Sequence, residues 1–175
     1  MYSFCLPDFD LLLVVGGSDD TGATVAEVEL VSLDPDNHPV PPCLTSLQEL
    51  PAASHAVAGA VDEDGNPFIC GGKLEDGYSD MCYKYDPQTN SWELYGTMPY
   101  ERAYMADTVV PGLGLVMVGG FDGQFGNLGG TDEVIATTDG VFFQELAPLP
   151  EPSYQGKINS ETPTCQSAIT YFHKM

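Results

Sequence analysis

The stretch PFICGGKLEDGYSDMCYKYDPQTNSWELYGTMP, residues 67–99, decides the fold of this chain. An apolar run at 68–70 stops at a double glycine, and a second run alternates through 81–85 before an Asp-Pro pair. A polar turn follows, and then Trp92 and Leu94. Short apolar runs separated by Gly, Pro, Asn and Asp are typical of antiparallel strands. The stretch therefore predicts three short strands of one sheet.

The same pattern occurs three times along the chain. Apolar residues run into a double glycine at 16–17, 71–72 and 119–120, with spacings of 71 − 16 = 55 and 119 − 71 = 48 residues. Recurrence at a period near 50 residues indicates a repeat architecture in which each repeat is one small sheet. One such sheet cannot bury both of its faces alone, so successive sheets must stack.

The repeat resembles the kelch family, whose marks are a double glycine followed by a Tyr and a Trp with six residues between them. Tyr85 and Trp92 have this spacing, and Arg102 stands three residues after Pro99, where the family has an arginine. The resemblance covers roughly residues 10–155 and is clearest in the second repeat. The first repeat has Leu33 and Leu44 near the aromatic positions, and the third has Phe143 for the Trp.

The resemblance implies a β-propeller in which each repeat is one blade. The prediction is an all-β fold, a partial propeller of about three four-stranded antiparallel kelch-type blades, in a single segment over residues 1–175. The blades are expected at about 11–51, 54–99 and 102–150. Residues 1–10 have no assignment, so the first blade should begin at its second strand. A linker and one extra or closing strand, QSAITYF, are expected within 151–175.

Several glycines and large aromatic residues are predicted to hold the blades together. Glycine after a buried strand permits positive φ and close backbone approach, and large aromatic side chains fill the gap between neighbouring sheets. The predicted structural residues are Gly16, Gly17, Gly71, Gly72, Tyr85, Trp92, Gly119, Gly120 and Phe143.

The charge of the chain is strongly acidic. Five basic residues stand against 26 acidic ones, a net charge of −21. Such a field repels phosphate backbones and anionic membranes, so neither nucleic acid nor a membrane is an expected partner, and a basic one is favoured. The longest apolar run, 11–15, is far too short to span a bilayer, and residues 1–17 do not have the pattern of a signal peptide.

The sequence lacks the common catalytic and metal-binding motifs. It contains no G-x-S-x-G, H-E-x-x-H or P-loop pattern, and its three histidines, 38, 55 and 173, are dispersed. His55 falls on a predicted inner strand, where a structural role is favoured. The segment DEDGN at 62–66 predicts a hairpin turn rather than a calcium loop, since it lacks the glycine at the sixth position and the distal glutamate of such a loop. We expect no metal and no cofactor.

Two functional hypotheses remain open. The first is a non-catalytic module of kelch type that presents loops on a propeller face to a protein or peptide, which the acidic charge suggests is basic. The second is a fragment of a propeller enzyme, galactose-oxidase-like or other, whose catalytic residues lie outside this chain. Loops on a rigid scaffold usually carry the binding residues. The candidates for contact with a partner are Asp19, Asp20, Glu75, Asp76, Arg102, Tyr104, Phe121 and Asp122.

The second repeat gains two cysteines together. Cys70 stands before a double glycine where the other repeats have valine, and Cys82 aligns with Leu30, on a strand that a loop joins to the first. The pair is predicted to form a disulfide, against the alternative of two buried thiols. A bridge would favour an extracellular location, and free thiols a cytoplasmic one. No role is assigned to Cys5, Cys43 or Cys165.

Three blades do not close a ring of kelch type. Each end sheet would expose an apolar face to water. The sequence leaves two explanations open: the chain is a fragment or truncated form of a longer propeller, or two copies join into a six-bladed ring, each giving QSAITYF to the first blade of the other. The first is favoured, because the poor match after Pro152 has the pattern of an interrupted fourth repeat.

Overall fold

The computed structural model describes residues 1–6, 11–32, 47–62, 64–122 and 132–150. These residues form three antiparallel sheets and contain no helix, which confirms the predicted all-β class. Accordingly, the described residues contain no apolar helix of membrane-spanning length. The linker and strand predicted within 151–175 lie outside the described residues, as do Leu33, Leu44 and Cys43.

The first sheet has three strands in the order β1-β2-β3. Their bounds are β1 Tyr2–Leu6, β2 Leu11–Ser18 and β3 Thr24–Ser32. The predicted outer strand near 44–50 is described only from residue 47 onward, and that part is not a strand. Its Leu50 amide nevertheless donates a hydrogen bond of 2.9 Å to the Ala26 carbonyl oxygen, so the segment lies beside β3.

The second and third sheets each have four strands, as predicted. The second has the order β4-β5-β6-β7, with β4 Ala58–Val61, β5 Pro67–Cys70, β6 Met81–Asp86 and β7 Ser91–Thr97. The third has the order β8-β9-β10-β11, with β8 Ala106–Val110, β9 Gly114–Val118, β10 Val134–Thr137 and β11 Gln144–Glu145. Both sheets therefore follow chain order from one edge to the other.

Strand β1 corrects the prediction that the first sheet begins at its second strand. Tyr2 pairs with Val15 and Phe4 with Leu13, so β1 is the first edge strand of this sheet. Tyr2 and Phe4 are buried while Ser3 between them is half-buried, which is the alternation of a strand with one face on the core. Because β1 occupies this edge, the place proposed for the QSAITYF strand is already filled.

The edge strands β1, β4 and β8 meet at the centre of the molecule. The Tyr2 hydroxyl lies 2.7 Å from the Gly59 carbonyl oxygen and within hydrogen-bond distance of Asp107 Oδ2. One residue from each central strand therefore joins a single buried polar contact. Burial raises the pKa of Asp107 to about 6, although the contacts with Tyr2 and the Gly59 backbone oppose this shift.

The double glycines connect each sheet to the next. Gly71 has φ +69°, and a Cβ there would come within 2.6 Å of the Arg102 carbonyl oxygen. The next amide, of Gly72, donates to that same oxygen over 2.9 Å. The first sheet repeats the arrangement, since the Gly17 amide donates to the Ser54 carbonyl oxygen over 2.9 Å. Only glycine permits both the backbone conformation and this approach.

The middle sheet packs on both of its neighbours, which gives two hydrophobic cores in the described part of the chain. The core toward the first sheet contains Phe4, Leu13 and Val15 with Ile69 and Trp92. The core toward the third sheet contains residues of both sheets, among them Phe68, Cys70, Cys82, Met105, Leu115, Met117 and Ile135. Trp92 thus fills the gap between two sheets, with Tyr85 beside it at a ring-centroid distance of 5.2 Å.

The predicted disulfide is present. Cys70 and Cys82 lie directly opposite each other on β5 and β6 and are bonded through their sulfur atoms. Both side chains are fully buried in the core between the second and third sheets. The bridge therefore fastens two neighbouring strands within an apolar environment.

Candidate binding surface

One end of the molecule collects the segments that follow the double glycines. Strands β2, β5 and β9 all run toward this end, and the backbone hydrogen bonds from Gly17 and Gly72 hold their sheets together there. We call it the double-glycine end. In the described part of the chain it includes residues 19–23, 71–80, 98–105 and 119–122. The predicted partner residues all belong to these segments.

An aromatic cluster forms at this end from two successive sheets. Lys73 makes isolated backbone bridges with both His55 and Tyr78. The Tyr78 ring lies edge-on to the Phe121 ring, with centroids 5.5 Å apart. His55 Nε2 lies 3.0 Å from the Tyr104 hydroxyl. The structure therefore brings together Tyr104 and Phe121, which were predicted from the sequence as partner contacts, with residues that the sequence analysis did not single out for binding.

Partial burial shifts the pKa values of three side chains in the cluster. Desolvation raises the pKa of Tyr78, with a further contribution from the negative charge of Asp122. Burial and then the nearby Tyr78 raise the pKa of Tyr104. Burial also lowers the pKa of His55, helped by the positive charges of the N-terminus and Lys73. The imidazole is therefore neutral at physiological pH, and both phenols keep their protons.

Lys73 organises the loop that follows Gly72. Its ammonium group donates to the carbonyl oxygens of Leu74, Glu75 and Gly77, at distances of 2.6, 3.2 and 3.3 Å. It also lies 5.3 Å from the centroid of the Tyr78 ring. Three carbonyl contacts from one side chain define the course of a loop that belongs to no strand. The loop therefore presents its side chains from a supported backbone.

A pocket of about 150 Å³ opens beside this loop, on the side of the middle sheet that faces the first sheet. Its lining combines apolar residues, two tyrosines and two acidic residues. In the described part of the chain, neither Asp80 nor Glu101 has an ion-pair partner. The lining residues are Ala52, Ser54, Ile69, Gly71, Leu74, Tyr78, Ser79, Asp80, Met81, Tyr83 and Glu101.

A larger pocket of about 340 Å³ lies on the second sheet, away from this end, but Lys84 and Asp86 in its lining are already paired. Lys84 forms an ion pair with Asp62 and stacks over the Tyr95 ring at 4.6 Å. The Asp86 carboxylate accepts hydrogen bonds from Gln88 N and Thr89 Oγ1. Paired groups have little free capacity for a ligand, so the smaller pocket is the better candidate.

The predicted acidic residues of the loops divide by role. Asp19 accepts hydrogen bonds from the Thr21 hydroxyl and from the Thr21 and Ala23 amides, and the Thr21 hydroxyl contributes most to lowering its pKa. Its carboxylate therefore shapes its own turn. Asp20, Glu75 and Asp76 are exposed. Phe121 and Asp122 are half-buried, so each presents part of its surface to solvent.

Arg102, also predicted to contact a partner, lies inside the structure and is 0% exposed. Its guanidinium donates to the Gly119 carbonyl oxygen at 3.2 Å and pairs with Glu133 at 3.3 Å. Burial lowers its pKa. The side chain ties the double-glycine segment of the third sheet to the connection before it, and it supports the surface from within. This placement corrects the expectation that Arg102 faces a partner.

Tyr78, Asp80 and Glu101 were missed as binding candidates. Tyr78 and Asp80 sit in a polar loop without periodicity, and Glu101 follows the closing proline of the second repeat. Nothing in their local pattern differs from that of a solvated loop. The sequence held one weak signal for this loop: a spacing of 48 residues aligns Lys73 with Phe121, because both residues then occupy the same place after a double glycine.

No group of three or more His, Cys, Asp or Glu side chains in the described ranges could hold a metal ion.

Comparison with known proteins gives a fold likeness. No protein-family model and no curated protein matches the chain. Among the solved structures that resemble it is one titled "Structure of YjhT", with a TM-score of 0.59 and 19% sequence identity. The match covers 83% of this chain and 51% of that one, so the chain spans about half the length of YjhT. At this identity the likeness concerns the fold alone.

Proposed function

We propose that this chain is a non-catalytic binding module that recognises a basic segment of a protein or peptide at its double-glycine end. The observation that carries the proposal is the 150 Å³ pocket, whose lining combines tyrosines and apolar residues with Asp80 and Glu101, two acids that have no ion-pair partner among the described residues. The proposal also assigns the three sheets to successive blades of a kelch-type propeller. The recurring double glycines, the sheet-on-sheet packing and the fold likeness to YjhT support this assignment.

The lining of the pocket suits a long cationic side chain. A lysine or arginine has an apolar stem that packs on groups such as Ile69 and Met81, and a charged head that seeks carboxylates. Asp80 and Glu101 provide those carboxylates, and the Tyr78 ring provides an aromatic surface for a cation. The aromatic cluster next to the pocket gives room for the neighbouring residues of an extended peptide.

The net charge of the whole chain also favours the binding of a basic segment. With a net charge of −21, the field of the protein draws cationic segments toward it and repels anionic ones. Such attraction between exposed charges weakens with added salt, because the screening length falls to about 3 Å at 1 M. Binding of a basic peptide should therefore weaken as ionic strength rises.

The first prediction concerns the carboxylates of the pocket. The pentapeptide acetyl-Gly-Gly-Lys-Gly-Gly-amide should bind, and its analogue with norleucine in place of lysine should not. In the double variant Asp80→Asn/Glu101→Gln the affinity should fall about tenfold, since about 1.4 kcal/mol of charged hydrogen bonding is lost. Chemical-shift titration of the backbone amides measures both the affinity and the location.

The matched control is Asp64→Asn/Glu93→Gln, which removes the same charge from exposed positions of the same sheet, away from the double-glycine end. This control variant should bind the lysine peptide with nearly the affinity of the unchanged protein. Equal weakening in both double variants would assign binding to the general field and remove the pocket. Equal binding of the lysine and norleucine peptides would contradict recognition of a cation.

A further inference from the structure

The two outer sheets each leave one face outside the hydrophobic cores. In the described part of the chain, both cores use only the faces directed at the middle sheet. The far face of the first sheet carries Leu12 and Val14 on β2 and Val31 on β3, with Val31 39% exposed. The far face of the third sheet carries Val118 on β9 and Val134 on β10, both half-buried, beside Val116, which is 7% exposed.

These two faces are the complementary halves of one recurring interface. In each sheet, the residue one position before the double glycine faces the following sheet. The residue two positions before the double glycine faces the preceding sheet. Val15 of the first sheet packs in one core with Ile69 of the second, and both are at most 2% exposed. Cys70 of the second sheet packs in the other core with Met117 of the third, and both are fully buried.

Two residues at these positions have no facing sheet in the described part of the chain, one in the third sheet and one in the first. The residue before the third double glycine is Val118, which faces away from the middle sheet and is only half-buried. The residue two before the first double glycine is Val14, which faces away on the opposite side and is also half-buried. The far face of the third sheet therefore has the position of a face that meets a following sheet. The far face of the first sheet has the position of one that meets a preceding sheet.

We infer that a second copy of this chain covers both faces, with the third sheet of each copy packed on the first sheet of the other. The arrangement is a closed dimer with a two-fold axis, in which the two new interfaces are identical and repeat the kind already present twice within the chain. The length comparison points to the same occupant. The part of this chain that aligns with YjhT corresponds to 51% of that chain, so two such parts equal its length.

The assembly differs from one made by strand exchange. Strand β1 already completes the central edge of the first sheet, so no strand needs to pass between copies. Contact occurs through sheet faces. Charged groups stand on the contact face of the first sheet: Glu29 pairs with Val14 and so shares its side of the sheet, and Glu27 lies two residues before it on the same strand. Glu29 lies on β3, the last of the three strands described, and its replacement by leucine should strengthen the dimer.

The test measures molar mass by light scattering on the whole chain during size-exclusion chromatography. The unchanged protein should give 2 × 18.8 = 37.6 kDa. Val14→Lys and Val118→Glu should each give 18.8 kDa, because either change buries a charge in both interfaces. Leu94→Lys, at an exposed position of β7 that is 59% exposed, is the control and should leave the mass at 37.6 kDa.

Mixing the two disrupted variants gives the decisive measurement. A pair made of one Val14→Lys copy and one Val118→Glu copy has one unchanged interface and one in which lysine faces glutamate. The mixture should therefore recover the dimer that neither variant forms alone. A folded wild-type chain at 18.8 kDa would overturn the inference and indicate that another polypeptide covers the faces. A dimer broken by only one of the two changes would also overturn it, since a symmetric contact of like faces involves only one of these valines.

Discussion

Reduction of the Cys70–Cys82 disulfide is expected to lower the free energy of unfolding by roughly 3 kcal/mol. The two cysteines are 12 residues apart, and a crosslink that closes a loop of this size restricts the unfolded chain by about that amount. The sulfurs lie in an apolar core, so each thiol formed by reduction remains in surroundings that suit a small hydrophobic side chain. The expected loss therefore comes mainly from the unfolded state.

Urea titration with and without reductant measures the effect. The unchanged protein should lose stability on reduction, and the midpoint should move to lower urea. The control is Cys70→Ala/Cys82→Ala, which lacks the bridge, so that any shift of its midpoint on reduction reports the other three cysteines and is subtracted. Identical unfolding midpoints of the unchanged protein in both conditions would show that the bridge contributes nothing.

The second large effect concerns Asp107 and pH. Its carboxyl has a pKa of about 6 in the folded protein against an ordinary value of 3.8, because burial disfavours the charged form. A raised carboxyl pKa favours the folded state below pH 3.8, where both states are protonated, and this advantage is lost as pH rises through about 6. The difference between 3.8 and about 6 is worth about 3 kcal/mol at 1.36 kcal/mol per pH unit.

The hydrogen-bond arrangement explains why the neutral form fits. A protonated Asp107 can donate to the Tyr2 hydroxyl, which then donates to the Gly59 carbonyl oxygen 2.7 Å away. When Asp107 ionises, the Tyr2 proton turns to the carboxylate, and the Gly59 oxygen loses this donor. Ionisation therefore changes a contact that joins all three central strands, β1, β4 and β8.

The variant Asp107→Asn removes the titration while it keeps the shape of the side chain. Relative to the unchanged protein, its free energy of unfolding should rise by about 3 kcal/mol between pH 3.5 and pH 7. Chemical denaturation at a series of pH values measures this difference, and contributions of other acids cancel because both proteins share them. Asp20→Asn, at an exposed position, should show no such trend.

A second variant tests the role of the tyrosine. The contact with Tyr2 lowers the pKa of Asp107, so Tyr2→Phe should move the loss of stability to still higher pH. A pH dependence that is the same in the unchanged protein and in Asp107→Asn would contradict the assignment of this titration to the central contact.

The sequence by itself determined most of the strands, their grouping into sheets and the disulfide. Each of these depends on residues that are close in the chain, such as the alternation through 81–85 and the cysteines on two strands joined by one loop. The double glycines were also readable, because positive φ restricts a position almost entirely to glycine. Strand β1 carried the same alternation in Tyr2, Ser3 and Phe4, but five residues ahead of a proline are too few for the pattern to stand out.

Only the tertiary structure decided which side chains share a site. Arg102 and Asp80 both lie in polar segments, yet packing buries the first and leaves the second beside a pocket. Asp107 looks like any acid on a strand until the Tyr2 and Gly59 contacts enclose it across 105 and 48 residues of chain. Burial and the distance between remote groups arise from the stacking of sheets, and a local pattern of residues contains no information on how far one sheet turns relative to the next.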